Sequence, residues 1–353
     1  MTSLKTIATF QISYLQYLNE QHESVQPFPA FATPNFLLDV YKRMTLLRVF
    51  DTQMVNLHRT GKIGTFPSSQ GQEALFVAIG LAMAKEDVLC SFYRDHGTLI
   101  QRAYALTDIL AYWAGDERGN LSNPNNHDFP ICIPIAGQCL HATGVAYAIN
   151  YRHEKKAVVT SVGDGGTSKG DFYEAMNLAG AWQLPVVFVI DNNQWAISVP
   201  REKQTASQTL AQKAIAAGLD CLQVDGNDVI AVFDAMKNAL TQARDNHKAT
   251  VIEALSYRLA DHTTVDDASR YSDAEEKKAA WKKEPIARLG FYLESKQLWN
   301  RDKEAALQHE CKIIVEKAFQ DYFARDKQKP TSMFDYLFEQ LPNADIDQYN
   351  ELL

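Results

Sequence analysis

No run of apolar residues approaches the roughly 20 that a bilayer-spanning helix needs. The amino-terminal MTSLKTIATFQISYLQYLNEQ lacks both the unbroken apolar centre of a secretory signal and the arginines of a transit sequence. There is no CxxC pair among Cys90, Cys132, Cys139, Cys221 and Cys311, and their odd number excludes a complete disulfide framework. Buried thiols in a reducing cytoplasm are expected. Basic charge is also short: 35 Lys and Arg stand against 43 Asp and Glu, a net charge of −8, so the averaged field repels nucleic acid and anionic membrane. Any bound anion must be held by local groups or through a metal. Repeats, low-complexity tracts and a recognisable linker are absent as well.

What remains is a chain of 353 residues, 46% of them hydrophobic, able to bury a large core. After an N-terminal extension over residues 1–34, Pro34 and Asn35 open a helical pattern. Leu37, Leu38, Tyr41, Met44, Leu47, Met54 and Leu57 recur at threes and fours or their sums, and Gly61 stops them. A second helix, about Gln70 to Met83, is apolar on nearly every side. DVLCSFYRDHG reads as a short strand running into a polar loop. Ala157 to Val162 is β-rich, Phe172, Met176, Ala179 and Trp182 follow at helical spacing, Pro185 breaks, and Val186 to Ile190 is continuously apolar. That is a βαβ unit on a parallel, covered sheet. Further strands are expected at Leu219 to Val224 and Val251 to Tyr257, with a helix through Val232, Met236 and Leu240 between them. A charged helical part follows from about Glu276, with Leu307, Cys311, Ile314 and Ala318 as its apolar stripe. The acidic residues Asp273, Glu275 and Glu276 read as a solvated face. The expected organisation is one α/β domain over 35–345, with a mostly parallel central sheet covered by helices on both faces, and a tail at 346–353.

The first strand of the βαβ unit runs into Gly163-Asp164-Gly165-Gly166, a glycine turn of the kind that cradles phosphate, with a carboxylate in its middle. Neither of the familiar phosphate loops matches: a dinucleotide fingerprint needs glycine where Ser168 stands, and a Walker loop needs Gly-Lys-Ser/Thr, whereas Lys169 precedes Gly170. A right-handed crossover brings this turn and Asp191-Asn192-Asn193 to the same carboxyl edge of the sheet. A bare Asp beside a diphosphate costs about 4 kcal/mol for unit charges at about 4 Å and an effective dielectric of about 20. A divalent cation reverses that sign, and carboxylate, amide and backbone oxygens are ligands that Mg²⁺ accepts alongside phosphate. The glycines permit close backbone approach, and the helix starting near Ser168 offers N–H groups to the anion. The competing reading is a tight turn in which Asp164 caps that helix.

GDG, then a helix, a strand and NN, resembles the thiamin-diphosphate-binding motif. SVGDGGTSKGDFYEAMNLAGAWQLPVVFVIDNNQWAISVP closely resembles the α subunits of the decarboxylating component of 2-oxo acid dehydrogenase complexes. The resemblance extends to IGTFPSSQGQEA, SFYRDHG, IPIAGQCLHATGVAYA, QTLAQKAIAAGLDCLQVDGND and YRLADHTTVDDASRY, most of residues 35 to 345. It implies the thiamin-diphosphate-binding fold. It implies that Asp164 and Asn193 hold Mg²⁺ by their side chains and Trp195 by its main-chain carbonyl, in a position where the family has Tyr or Phe. Gly165 and Gly166 then offer main-chain contacts to the diphosphate, Tyr93 and Arg94 reach it from the loop after an earlier strand, the backbone of Ile135 supports the aminopyrimidine, and Phe66 lies on the substrate side. His262 aligns with an active-site histidine that contacts the cofactor phosphate and assists acyl transfer to lipoyl. An imidazole titrating near neutrality suits both tasks. The composition of its segment reads as an exposed loop, expected to be mobile without cofactor. No phosphorylation is inferred for the neighbouring Thr263, though related eukaryotic chains carry a regulatory serine there. His96 is expected as a loop residue behind the site and His141 as helix packing.

The implied reaction is oxidative decarboxylation of a 2-oxo acid, pyruvate in the nearest bacterial examples, with the acyl group passed to a lipoyl group on an acyltransferase. Branched-chain 2-oxo acid enzymes share these motifs. The glutamate that activates the aminopyrimidine in this family has no match here. The resemblance therefore implies a separate β chain, two α and two β chains in all, with cofactor at their boundary. Two other readings stay open: an Mg²⁺-dependent enzyme without thiamin, and a non-catalytic assembly paralogue.

Overall fold

Segments rich in valine, isoleucine and threonine become the central strands of a computed structural model that describes residues 4–120, 127–335 and 337–353. In chain order the strands are β1 (Tyr14–Leu15), β2 (Val88–Phe92), β3 (Phe129–Cys132), β4 (Val158–Gly163), β5 (Val186–Asn192), β6 (Trp195–Ala196), β7 (Val199–Pro200), β8 (Asp220–Asp225) and β9 (Thr250–Leu255). Among the described residues seven of them form one sheet, in the order β1-β8-β9-β5-β4-β2-β3, parallel throughout. The short β6 and β7 pair antiparallel beside it. The helices are α1 (Pro34–Arg59), α2 (Glu73–Ala82), α3 (His96–Gln101), α4 (Leu106–Trp113), α5 (Gly137–Tyr151), α6 (Gly170–Ala181), α7 (Val229–Asn246), α8 (Ala274–Trp281), α9 (Pro285–Ser295), α10 (Arg301–Phe323) and α11 (Asn343–Asn350).

Strand periodicity divides the core in two. Val187 and Val189 of β5 pack with Val159, Ile252 and helices α1, α2 and α7, whereas Val186, Phe188 and Ile190 pack with Val158, Val162 and helices α5 and α6. Both faces of the sheet are thus covered, as the continuous apolar strands require. Each such side chain contributes about 1.5–3 kcal/mol on full burial, which fixes the strand register and with it the polar residues at the strand ends. Thr33 caps α1 and Pro34 occupies its first turn, and Gly61, with φ +68°, ends it as expected.

In five places the structure departs from the sequence reading. The N-terminal extension is woven into the fold: Tyr14 and Leu15 pair with Gln223 and Val224, and Asp228, the cap of α7, also accepts the backbone N–H groups of Tyr17 and Leu18. The polar loop after β2 is interior, with Arg94, Asp95 and His96 all buried. The helix expected from Ser168 is split into a 3-10 turn, Gly165–Ser168, and α6, with Lys169 extended between them. On α10 the apolar stripe runs through Val315, while Ile314 is 41% exposed. Asp273, read as part of a solvated face, caps α8 by accepting from the N–H groups of Glu275 and Glu276.

Candidate functional site

The carboxyl ends of β2, β3, β4 and β5, with the loop after β9, converge on one cavity of about 290 Å³, lined among others by Tyr93, Arg94, Ile135, Asp164, Gly165, Gly166, Asn193, Trp195 and His262. Every site residue singled out from the sequence lies on it except Phe66. The phenyl ring of Phe66 is buried, stacked on His96 at 4.8 Å and edge-on to Trp113 at 5.9 Å. Its backbone exchanges hydrogen bonds with Thr264 (Phe66 N to Oγ1 3.0 Å, Thr264 N to Phe66 O 2.9 Å), bracing the loop that carries His262.

Register explains why Asp164 and Asn193 meet. Gly163 lies opposite Asp191, and the Asp164 N–H donates to the Asp191 carbonyl at 3.1 Å, so both strands end at the same level. The Asp164 side chain caps no helix; its Oδ2 accepts from Gln204 Nε2 at 2.7 Å. Burial without a cation raises its pKa above the ordinary carboxylate value. Asn193 donates to Asp191 Oδ2 at 3.1 Å, and its Oδ1 accepts from Trp195 N at 3.3 Å. The Trp195 carbonyl accepts from Arg258 Nη1 at 3.3 Å. Both contacts are long, and each oxygen keeps a lone pair. One under-satisfied buried carboxylate, an amide oxygen and a carbonyl therefore suit a hard dication. Among the described residues no group of three His, Cys, Asp or Glu could hold a metal alone.

The turn itself is built for close approach. A Cβ on Gly165 would lie 2.4 Å from Ala196 Cβ, and one on Gly166 2.4 Å from Val162 Cγ2. Gly165→Ala is therefore expected to destabilise the chain by about 1–3 kcal/mol through overpacking. Thermal melting checks this, and an unchanged midpoint would show that Ala196 yields freely.

Opposite the turn stand two arginines that make no ion pair among the described residues. The fully buried Arg94 donates to Ser68 O, to His262 O at 3.1 Å and toward His262 Nδ1 at 3.3 Å. Arg258 donates to Ile197 O and Tyr271 OH, both at 2.8 Å, and also faces His262 Nδ1 at 3.3 Å. The sequence reading passed over Arg258, although it stands four residues before His262. Two buried guanidinium groups without carboxylate partners offer donors suited to an anion.

They also set the state of His262. Burial, then Arg94 and Arg258, push its pKa down to about 3, against the near-neutral titration expected from the sequence. With guanidinium donors facing Nδ1, that nitrogen accepts, and the proton of the neutral ring sits on Nε2. Within the loop, His262 N donates to Asp266 Oδ2 at 2.8 Å, and Tyr271 OH donates to the same carboxylate. His96 is buried behind the site, accepting from Trp113 Nε1 at 2.9 Å, with its pKa lowered by burial to about 3. His141 is exposed on α5, tilted on Phe129. Among the cysteines, Cys132 lines the cavity; Cys90, Cys139 and Cys311 are buried, and no disulfide forms among the described residues.

Residues 41–332 match the family model described as "Dehydrogenase E1 component". This chain belongs to that family. It is accordingly a component of a thiamin-diphosphate-dependent 2-oxo acid dehydrogenase. Two curated proteins, the pyruvate dehydrogenase E1 component subunit alpha of Staphylococcus aureus (strain Mu50) and that of Staphylococcus epidermidis (strain RP62A), are each 38% identical to it over 318 residues, covering 90% of this chain and 86% of each relative. No helix among the described residues is long and apolar enough to cross a membrane.

Proposed function

We propose that this chain is the α subunit of an E1 component that decarboxylates pyruvate and passes the acyl group to a lipoyl group carried by an acyltransferase. The observation that carries the reading is the single cavity on which Asp164, Gly165, Gly166, Asn193, Arg94 and His262 meet. The pyruvate preference is supported by the names of the staphylococcal relatives.

Thiamin diphosphate, when bound, supplies the electron sink that stabilises negative charge left on the substrate as carbon dioxide departs. This chain's own part is to hold and orient it. Asp164, Asn193 and the Trp195 carbonyl are suited to Mg²⁺, while the Gly165 and Gly166 backbone, Tyr93 and Arg94 are suited to the diphosphate. The Ile135 backbone stands on the cavity where the aminopyrimidine is expected. His262, neutral and protonated on Nε2, offers a hydrogen-bond donor.

Asp164 is the one carboxylate among the residues lining the cavity, so no second acid is present to activate the aminopyrimidine. The rim is apolar and open, with Ile133, Ile135 and Ile197 each about half exposed. A β chain that covers this rim and brings the missing glutamate answers both features, in an assembly of two α and two β chains. The free thiols suit a cytoplasmic setting.

Purified α chain is expected to show no decarboxylation, and the chain reconstituted with its β partner to turn over pyruvate faster than branched-chain 2-oxo acids. A substrate panel on both preparations checks this. Turnover by α alone overturns the divided site; preference for a branched substrate overturns the choice of pyruvate.

A further inference from the structure

Lys213 is the one buried lysine among the described residues, and it makes no ion pair there. It stands on a 3-10 segment, Ala211–Ala217, packed beside α6. Its ammonium donates to Thr167 O at 2.8 Å and to Thr167 Oγ1 at 2.9 Å, and lies over the Tyr173 ring, 5.2 Å from the centroid. Thr167, itself fully buried, donates through Oγ1 to the Asp164 carbonyl at 2.7 Å and through its backbone N–H to the same oxygen at 3.2 Å. Between these two residues lie only Gly165 and Gly166.

The backbone accounts for the need. The 3-10 turn ends at Ser168 and Lys169 is extended, with ψ 145°, so the turn does not continue straight into α6. A carbonyl at the end of a helical turn lacks an intrahelical partner and favours a cation. Lys213 is that cation, placed behind the turn while the glycines face the cavity. An unpaired buried ammonium is costly to maintain. The cost shows in its pKa, lowered to about 8 by burial first and Arg201 second, with Glu253 opposing.

We propose that Lys213 is a positioning residue for the diphosphate site: bonded to Thr167, its ammonium holds Asp164, Gly165 and Gly166 in the shape that receives the diphosphate and its metal. The inference rests on the reading of the cavity as a diphosphate site. A diphosphate drawn to the turn favours the protonated amine, so cofactor affinity should weaken as pH rises through about 8. Of the groups facing the ammonium, Arg201 stays charged throughout, and Glu253 is already an acceptor for Asn192, Ala211 and Gln223.

The test is calorimetric titration of thiamin diphosphate with Mg²⁺ into the α and β chains reconstituted together, from pH 7 to 9.5. Lys213→Met is expected to raise Kd on the order of 10–100-fold, as loss of a supporting partner behind a metal site does, with kcat largely retained at saturating cofactor. Lys213→Arg should recover most of the affinity and bind with no pH slope above 8, because guanidinium does not titrate there. Asp164→Ala is the control: binding that survives it overturns the diphosphate reading itself. Binding lost in Asp164→Ala but unaltered in Lys213→Met overturns the role of Lys213 alone. If Lys213→Met fails to fold, the slope in Lys213→Arg decides, and a slope like that of the natural chain overturns the proposal.

Discussion

Substituting Asp164 by alanine is expected to abolish binding of thiamin diphosphate with Mg²⁺ while leaving the melting temperature of the cofactor-free chain unchanged or slightly raised. The direction of the second effect follows from burial. The carboxylate accepts a side-chain bond only from Gln204 and is desolvated without a cation, so its removal relieves a cost. The same carboxylate becomes an asset once a dication is present. At a ligand concentration of about 100 Kd, the natural protein should gain about 2.7 kcal/mol of stability from the cofactor, and Asp164→Ala should gain none. Metal removal supplies the complementary sign. With EDTA present, Asp164 faces a diphosphate directly, a repulsion of about 4 kcal/mol at about 4 Å and an effective dielectric of about 20. Under those conditions Asp164→Asn should bind the cofactor better than the natural chain, reversing their order in Mg²⁺. Melting curves and calorimetry on the reconstituted chains, with Mg²⁺ or EDTA, measure all of this; near-normal affinity in Asp164→Ala would sink the metal role.

Much of this site was legible because its residues follow directly from strand ends. Ala157–Val162 announces itself by β-rich composition and Val186–Ile190 as a continuous apolar run, and a right-handed crossover then leaves Asp164 and Asn193 no place but the same edge. Residues that enter from elsewhere carried no such signal. Gln204 meets Asp164 across the turn that follows the β6–β7 pair, and Arg258 reaches the Trp195 carbonyl from the end of β9. Both depend on tertiary packing that no local period encodes. On α10, Ile314 and Val315 are equally apolar neighbours, and the phase of the helix against α1 chose Val315. Phe66, expected on the substrate side, lies off the cavity: its ring belongs to the cluster with His96 and Trp113, and its backbone holds Thr264. The composition of LADHTTVDDAS suggested exposure, yet its Asp and Thr residues serve internal bonds, Asp266 to the His262 N–H and Thr264 to Phe66.

That altered environment sharpens what His262→Ala should do. At neutral pH the ring is uncharged in the free chain, held down by burial and by Arg94 and Arg258, so it acts first as a donor through Nε2–H. An arriving diphosphate offsets the two guanidinium charges and moves the pKa upward, toward a range where the ring can hand on a proton. Ring signals followed by NMR should therefore show no His262 inflection between pH 5 and 8 in the cofactor-free pair and an upward shift with cofactor. If the residue assists transfer to lipoyl, His262→Ala should lower the overall reaction by roughly 10²–10⁴, the usual worth of acid–base help. Decarboxylation read with an artificial electron acceptor, which bypasses lipoyl, should fall far less. His262→Gln restores a neutral donor but no titratable proton, so it should recover cofactor affinity without recovering the overall rate. Equal losses in the two assays would place His262 wholly in cofactor binding, and an unchanged overall rate would leave it a structural contact between Arg94 and Arg258.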